Sequence, residues 1–223
     1  MKRSAAALAA LLTLAAAPPG GGWSSTAGLS PDGDPLLGNP AASVVLTEHV
    51  AYTCADCTRY ALQSEAVLRL AYLPSGRLAI AVRLSAETPV DLALAMAARC
   101  GPPQRFFLNH SALLRGQPQW GPRIARATPA QRLRWHSGPL GSRNRAIAAD
   151  LGLYAVMAGR GYDRLTLDRC LADPALAARI TARSAAAKND GITQTPGFSI
   201  NGKLLQATRD WATLRPQLDQ ALR

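Results

Sequence analysis

Apolar and polar positions divide the chain into two strand-bearing ends and a long helical middle. Ser43 to Leu46, continued by Val50 to Tyr52, predicts a first strand, interrupted by Glu48 and His49. Cys57 to Leu73 carries apolar residues at helical spacing and stops at Pro74-Ser75-Gly76. Leu78 to Leu84 runs apolar more than it alternates, which suits a central strand. Thr88 as a cap, with Pro89 at the first helical position, predicts a helix to Arg99 that Gly101-Pro102-Pro103 breaks. The next hundred residues read as helix: Phe106 to Leu114, Leu140 to Gly159, and Leu171 to Asn189, the last beginning near Asp173-Pro174. Gln117 to Arg126 reads as a loop around Trp120. Strand character returns at Gly197 to Ile200, turns at Asn201-Gly202, and runs back through Lys203 to Gln206. Asp210 to Leu222 predicts a closing helix.

The fold class is therefore α/β, with a helical block, 88–190, inserted between strand-bearing halves at 41–87 and 191–223. Residues 18–40 are rich in Gly, Pro, Ser and Asp and read as a flexible leader or a wrap-around segment. Residues 1–17 combine Lys2-Arg3 with an Ala/Leu run ending at Ala15-Ala16-Ala17, the pattern of a secretory signal. Export as a soluble protein is the expectation.

The formal charge is +11, and removing Lys2 and Arg3 with the signal leaves +9. Arginines are densest from Arg123 to Arg145. Nothing here forms a basic–aromatic nucleic-acid module. Anionic envelope surfaces, acidic clients or plain solvation account better for the charge. Four cysteines in an exported chain allow three disulfide pairings, and local pairing of Cys54 with Cys57 would leave Cys100 with Cys170.

Thr53-Cys54-Ala55-Asp56-Cys57 follows the first strand and opens a helix. In that context Cys-x-x-Cys reads as a redox pair, with a structural disulfide or half a zinc site as the plainer uses. Cys54 falls at the helix N-terminus, where unpaired N–H groups stabilise a thiolate, the attacking species. Cys57 lies one turn in and suits the resolving role. Thr195-Pro196 precedes the late hairpin, where proline signals an edge, a turn or a cis bond.

With Cys54, Cys57 and Thr195-Pro196 placed, the chain resembles the DsbA-like thioredoxin-fold thiol–disulfide oxidoreductases of the bacterial envelope. The likeness runs from about Ser43 to Leu222 and is most specific over Gly191 to Lys203. Cys170 to Pro174, Phe106-Phe107, Gln117 and Trp120 also look like the family. The resemblance implies a thioredoxin-like domain around the helical insertion, Cys54 as nucleophile and Cys57 as resolving thiol. It implies a cis Pro196 facing the pair, with the Thr195 backbone available to a client segment. Glu48 falls where relatives keep a buried acid beneath the second cysteine, suited to carry its proton. It also favours a structural Cys100–Cys170 bridge over two free thiols.

Ala55-Asp56 stands where relatives often carry Pro-His, Ala51 where they carry Asp, and His49 where they carry Phe. An anion at Asp56 would disfavour the Cys54 thiolate and make the pair less oxidising. His49 is a second titrating group that could tune the site, or an ordinary core or edge histidine. The resemblance implies no cofactor and no metal. The partners it implies are exported clients bearing thiols or disulfides, plus a redox partner that resets the pair. Without a dimerisation module before the first strand, a monomeric oxidase is expected. The alternatives are a dedicated reductase or isomerase, and a non-catalytic metal-binding or chaperone module.

Overall fold

The computed structural model describes residues 22–223. The expected signal, 1–17, and the start of the leader lie outside the described residues. The strands are β1 (Ala27–Leu29), β2 (Pro35–Gly38), β3 (Val44–Val50), β4 (Leu78–Leu84), β5 (Gly197–Ile200) and β6 (Lys203–Leu204). They form one sheet in the order β1-β2-β4-β3-β5-β6. β3 and β4 pair in parallel, and every other pairing is antiparallel. β3 and β4 are buried along nearly their whole length, as expected for strands covered on both faces.

Residues 22–40 correct the expectation of a flexible leader. β1 and β2 form a hairpin that joins the sheet along β4. Leu36 and Leu37 are buried. Asp34 is buried as well, and its carboxylate meets Arg83 at 3.1 Å and Arg183 at 2.7 Å. Two apolar side chains and a double ion pair outweigh the Gly/Pro-rich composition that suggested disorder.

Helix α1 (Ala55–Val67) links β3 to β4. The middle of the chain forms α2 (Pro89–Ala98), α3 (Phe106–Arg115), α4 (Gln117–Ala125), α5 (Pro129–His136), α6 (Leu140–Leu151), α7 (Leu153–Ala158), α8 (Arg164–Ala172) and α9 (Pro174–Asn189). α10 (Trp211–Ala221) closes the chain. The segment read as a loop around Trp120 is α4. Trp120 is buried and its indole donates to the Leu113 carbonyl at 3.0 Å. Pro118 sits in the first turn, where its missing N–H costs little, and the tryptophan anchor holds the helix despite Pro122.

The helix expected to begin near Asp173-Pro174 is α9, which the Asp173 carboxylate caps through the N–H groups of Ala175 and Leu176, while Leu171 lies in the last turn of the preceding α8. Gly152, at φ +77°, ends α6 before α7. At the late hairpin both Asn201 (φ 49°) and Gly202 (φ 79°) are left-handed, as a two-residue primed turn requires. The Asn201 side chain accepts from Val45 N and donates to the Ser43 carbonyl, tying the hairpin to β3.

Candidate active site

The site is assembled where β3 ends and α1 begins. Cys54 is the N-cap of α1, with extended backbone angles (φ −81°, ψ 113°). Its sulfur lies 3.0 Å from the backbone N of Cys57. A helix start leaves its first N–H groups unpaired, so this amide is aimed at whatever charge the sulfur carries. Cys54 is half-buried, Cys57 is fully buried, and the two are joined by a disulfide across 5.3 Å between Cα atoms. From 141 residues further on, the Thr195 carbonyl oxygen comes to 3.2 Å from the Cys54 sulfur. The Thr195–Pro196 peptide is cis.

Three contacts hold the approach to Cys54. Asp91, buried in the first turn of α2, accepts from the Thr53 hydroxyl at 2.8 Å and the Thr53 N–H at 3.3 Å. Its other oxygen accepts from the Thr88 hydroxyl at 2.7 Å. Gln117, at the start of α4, donates to the Tyr52 carbonyl at 2.6 Å. The Tyr52 hydroxyl meets His110 Nδ1 of α3 at 2.8 Å. Three helices of the insertion therefore grip the two residues before Cys54. Thr88 was legible as a cap in the sequence, but Asp91 and its reach to Thr53 were not. Gln117 carried a family signal without a role.

Glu48 and His49 point to opposite faces of β3, as neighbours in a strand must. Glu48 is buried on the α1 face, where the Tyr60 hydroxyl donates to Oε1 at 2.6 Å. Burial pushes its carboxyl up from the usual 4.5 to about 7, against the opposing pull of that hydrogen bond. His49 is buried on the other face, with Nε2 3.5 Å from the Ser199 hydroxyl. Burial, then the Arg83 guanidinium, pushes it down to about 4, so it stays neutral near pH 7. Neither residue hydrogen-bonds to a sulfur. His49, Thr53, Asp91 and Thr195 do share one polar hollow of about 240 Å³ behind the site.

Ala55 and Asp56 are exposed between the cysteines. The Asp56 carboxylate meets Arg59 Nη1 at 2.8 Å and keeps 62% of its surface in solvent. Its field at the sulfurs is thus opposed by a guanidinium and screened by water. Cys100, after α2, and Cys170, in α8, are bridged across 5.5 Å between Cα atoms. Among the described residues, no three His, Cys, Asp or Glu side chains gather as a metal site.

The thioredoxin family model matches residues 30–220. The chain belongs to the thioredoxin family. A solved structure of a protein-disulfide isomerase from Novosphingobium aromaticivorans is 46% identical, with a TM-score of 0.81 over 84% of this chain and 96% of that one. Wolbachia pipientis alpha-DsbA1 shares the fold at 18% identity, with a TM-score of 0.68 over 87% and 93%. A protein named for protein-disulfide oxidoreductase activity in Rickettsia prowazekii is 25% identical over 173 residues. That match takes in 77% of this chain and 55% of the relative, so the chain spans about half the length of the curated relatives it matches.

Proposed function

We propose that this chain is an exported thiol–disulfide oxidoreductase that oxidises protein clients through Cys54–Cys57. The observation that carries the reading is the Cys54 sulfur, half-exposed at the mouth of α1, between the Cys57 N–H and the Thr195 carbonyl. A client thiolate attacks Cys54. The Cys54–Cys57 bond breaks, a client–Cys54 bond forms, and Cys57 leaves as a thiolate. A second client thiolate attacks the client sulfur of that bond and releases Cys54 as a thiolate. Two electrons pass from client to pair, and a redox partner removes them. Burial of Cys57 leaves Cys54 as the accessible sulfur for the first attack.

Glu48 serves as the group that exchanges a proton with Cys57. An acid titrating near 7 can both take and return a proton at working pH. Tyr60, which donates to Glu48, follows Cys57 by about one turn in α1, and both are buried, which puts the carboxyl on the resolving thiol's side of the helix. The Lys2-Arg3 start with its Ala/Leu run supports export, and among the described residues no helix is long and apolar enough to cross a membrane. The enzyme acts as a monomer, in an oxidising envelope compartment.

The reading is tested with a reduced dithiol peptide and stoichiometric oxidised protein. Peptide disulfide should appear together with the loss of Cys54–Cys57, and Cys54→Ser should abolish it. Peptide that stays reduced beside intact wild type rules the oxidase out. The name of the Novosphingobium relative favours isomerisation as a second reading. Reactivation of a scrambled client by the reduced protein, outpacing oxidation of a reduced one, would select it.

A further inference from the structure

Between Asp91 and Asp150 the chain contains no Asp or Glu and nine arginines. They do not scatter evenly through the fold. Arg123 and Arg126 lie one turn apart at the end of α4, and both are exposed. The Arg132 guanidinium donates to the carbonyls of Ile124, Ala125 and Ala127, so α5 brings its own cation to that same helix end. Among the described residues, no carboxylate lies within ion-pair distance of Arg123, Arg126 or Arg132. Arg134 is paired with Asp150 and His136 is exposed nearby.

α5 itself is held mainly by one residue. Trp135 is its only buried side chain, and its indole donates to Asp150 at 2.7 Å. Gln131 donates to the same carboxylate at 3.1 Å, and the remaining residues of the helix are exposed. Leu133, between Arg132 and Arg134, is 69% exposed. The corner thus offers guanidinium groups without a carboxylate partner, at Arg123, Arg126 and Arg132, beside a projecting apolar side chain.

We propose that the α4–α5 corner docks on an anionic phospholipid surface. The arginines spread over a helix end and its neighbour instead of surrounding a cleft. A fluid layer of phosphates adapts to that spread, whereas a folded partner would need a shaped complement. Leu133 is placed to enter the headgroup boundary while the guanidinium groups stay among phosphates. The docking also has a consequence for the redox pair. α4 starts at Gln117, which touches the Tyr52 carbonyl two residues before Cys54. Nine residues at roughly 1.5 Å each put the basic corner about 13 Å along the helix from that contact. A docked molecule would hold Cys54 near the membrane surface, within reach of a membrane-embedded redox partner. Lipid docking does not depend on the thiol chemistry, and its failure would leave the oxidase reading standing.

The test uses chain lacking residues 1–17, which keeps every described element and removes the apolar run of the expected signal. It is sedimented with vesicles of phosphatidylcholine alone, or of equal parts phosphatidylcholine and phosphatidylglycerol. Binding is expected only to the second, and should fall as salt rises. Each arginine near the surface is worth about fivefold in partitioning, so Arg123→Gln with Arg126→Gln should cost roughly twenty-fivefold. Leu133→Gln should weaken binding further. Lys203→Gln with Arg209→Gln removes the same charge from the strand-bearing half and should cost far less. Dithiol oxidation by each variant should match wild type, confirming a folded protein. No binding to phosphatidylglycerol vesicles overturns the proposal. So does equal loss in the two double variants, which would make the effect one of net charge. Binding to polyglutamate but not to vesicles would assign the corner to an acidic polypeptide and overturn it too.

Discussion

Glu48 and Asp56 are carboxylates in opposite surroundings, and their predicted roles follow from that difference. Native Glu48 holds its proton up to about pH 7, whereas the unfolded side chain releases it near 4.5. The native state therefore binds more protons in that window, and stability falls as pH rises through it. The loss is about 3 kcal/mol, at 1.36 per pKa unit. Buried His49 and His110, both pushed down to about 4, act the other way: each removes stability as pH falls from 6.5. Comparing Glu48→Gln with wild type isolates the carboxyl. In urea unfolding, the variant should match wild type below pH 4.5 and exceed it by about 3 kcal/mol above pH 7. A constant difference across pH would show that Glu48 is not held protonated. In stopped-flow, Glu48→Gln should slow resolution more than initial attack, and equal slowing of both would remove the proton-carrying role. Asp56 is exposed and paired with Arg59, so its influence on the sulfurs is modest. Asp56→His should still make the pair more oxidising in an equilibrium redox titration, because it replaces an anion with a group that favours the Cys54 thiolate. An unchanged potential would mean that Arg59 and solvent cancel Asp56 entirely.

Between elements, the decisive contacts join the start of α1 to the helical insertion. Asp91→Ala should leave Thr53 without its side-chain anchor and remove acceptors from Thr88. The expected cost is about 2 kcal/mol in stability, since the lost bonds involve a charged acceptor. Exchange at Cys54 should slow as well, because the N-cap residue follows Thr53 directly. Chemical denaturation and peptide oxidation of the same sample would check both, and an unaffected exchange rate would reduce Asp91 to a support for the first turn of α2. These links explain what the sequence could and could not reveal. Leu78–Leu84, Thr88-Pro89 and Asn201-Gly202 were legible because strand runs, caps and primed turns are local signals. α4 was misread because its helix depends on Trp120 reaching the core. β1 and β2 were missed because Asp34 is satisfied by Arg83 and Arg183, far away in the chain. Cys54, Cys57 and Thr195-Pro196 were marked by motif and resemblance, yet Asp91 and His110 had no signal pointing to Thr53 and Tyr52.

For the whole molecule, two disulfides occupy different settings. Cys54–Cys57 closes one helical turn at a half-exposed sulfur. Cys100–Cys170 spans 70 residues and ties α8 back to the end of α2. Closing a loop of that length restricts the unfolded chain by about 4 kcal/mol on the entropy model. Cys100→Ala with Cys170→Ala should therefore lower stability by up to about that amount, while Cys54–Cys57 continues to oxidise a dithiol peptide. Loss of oxidation at temperatures where the variant is still folded would place the second bridge in the redox cycle. The central claim concerns which sulfur meets the client. It is tested most directly by mass spectrometry of Cys57→Ala mixed with an excess of a peptide disulfide. The account predicts one peptide joined to Cys54, formed quickly and persisting because no resolving thiol remains. An adduct on another cysteine, or an unmodified Cys54 in a folded protein, would contradict it.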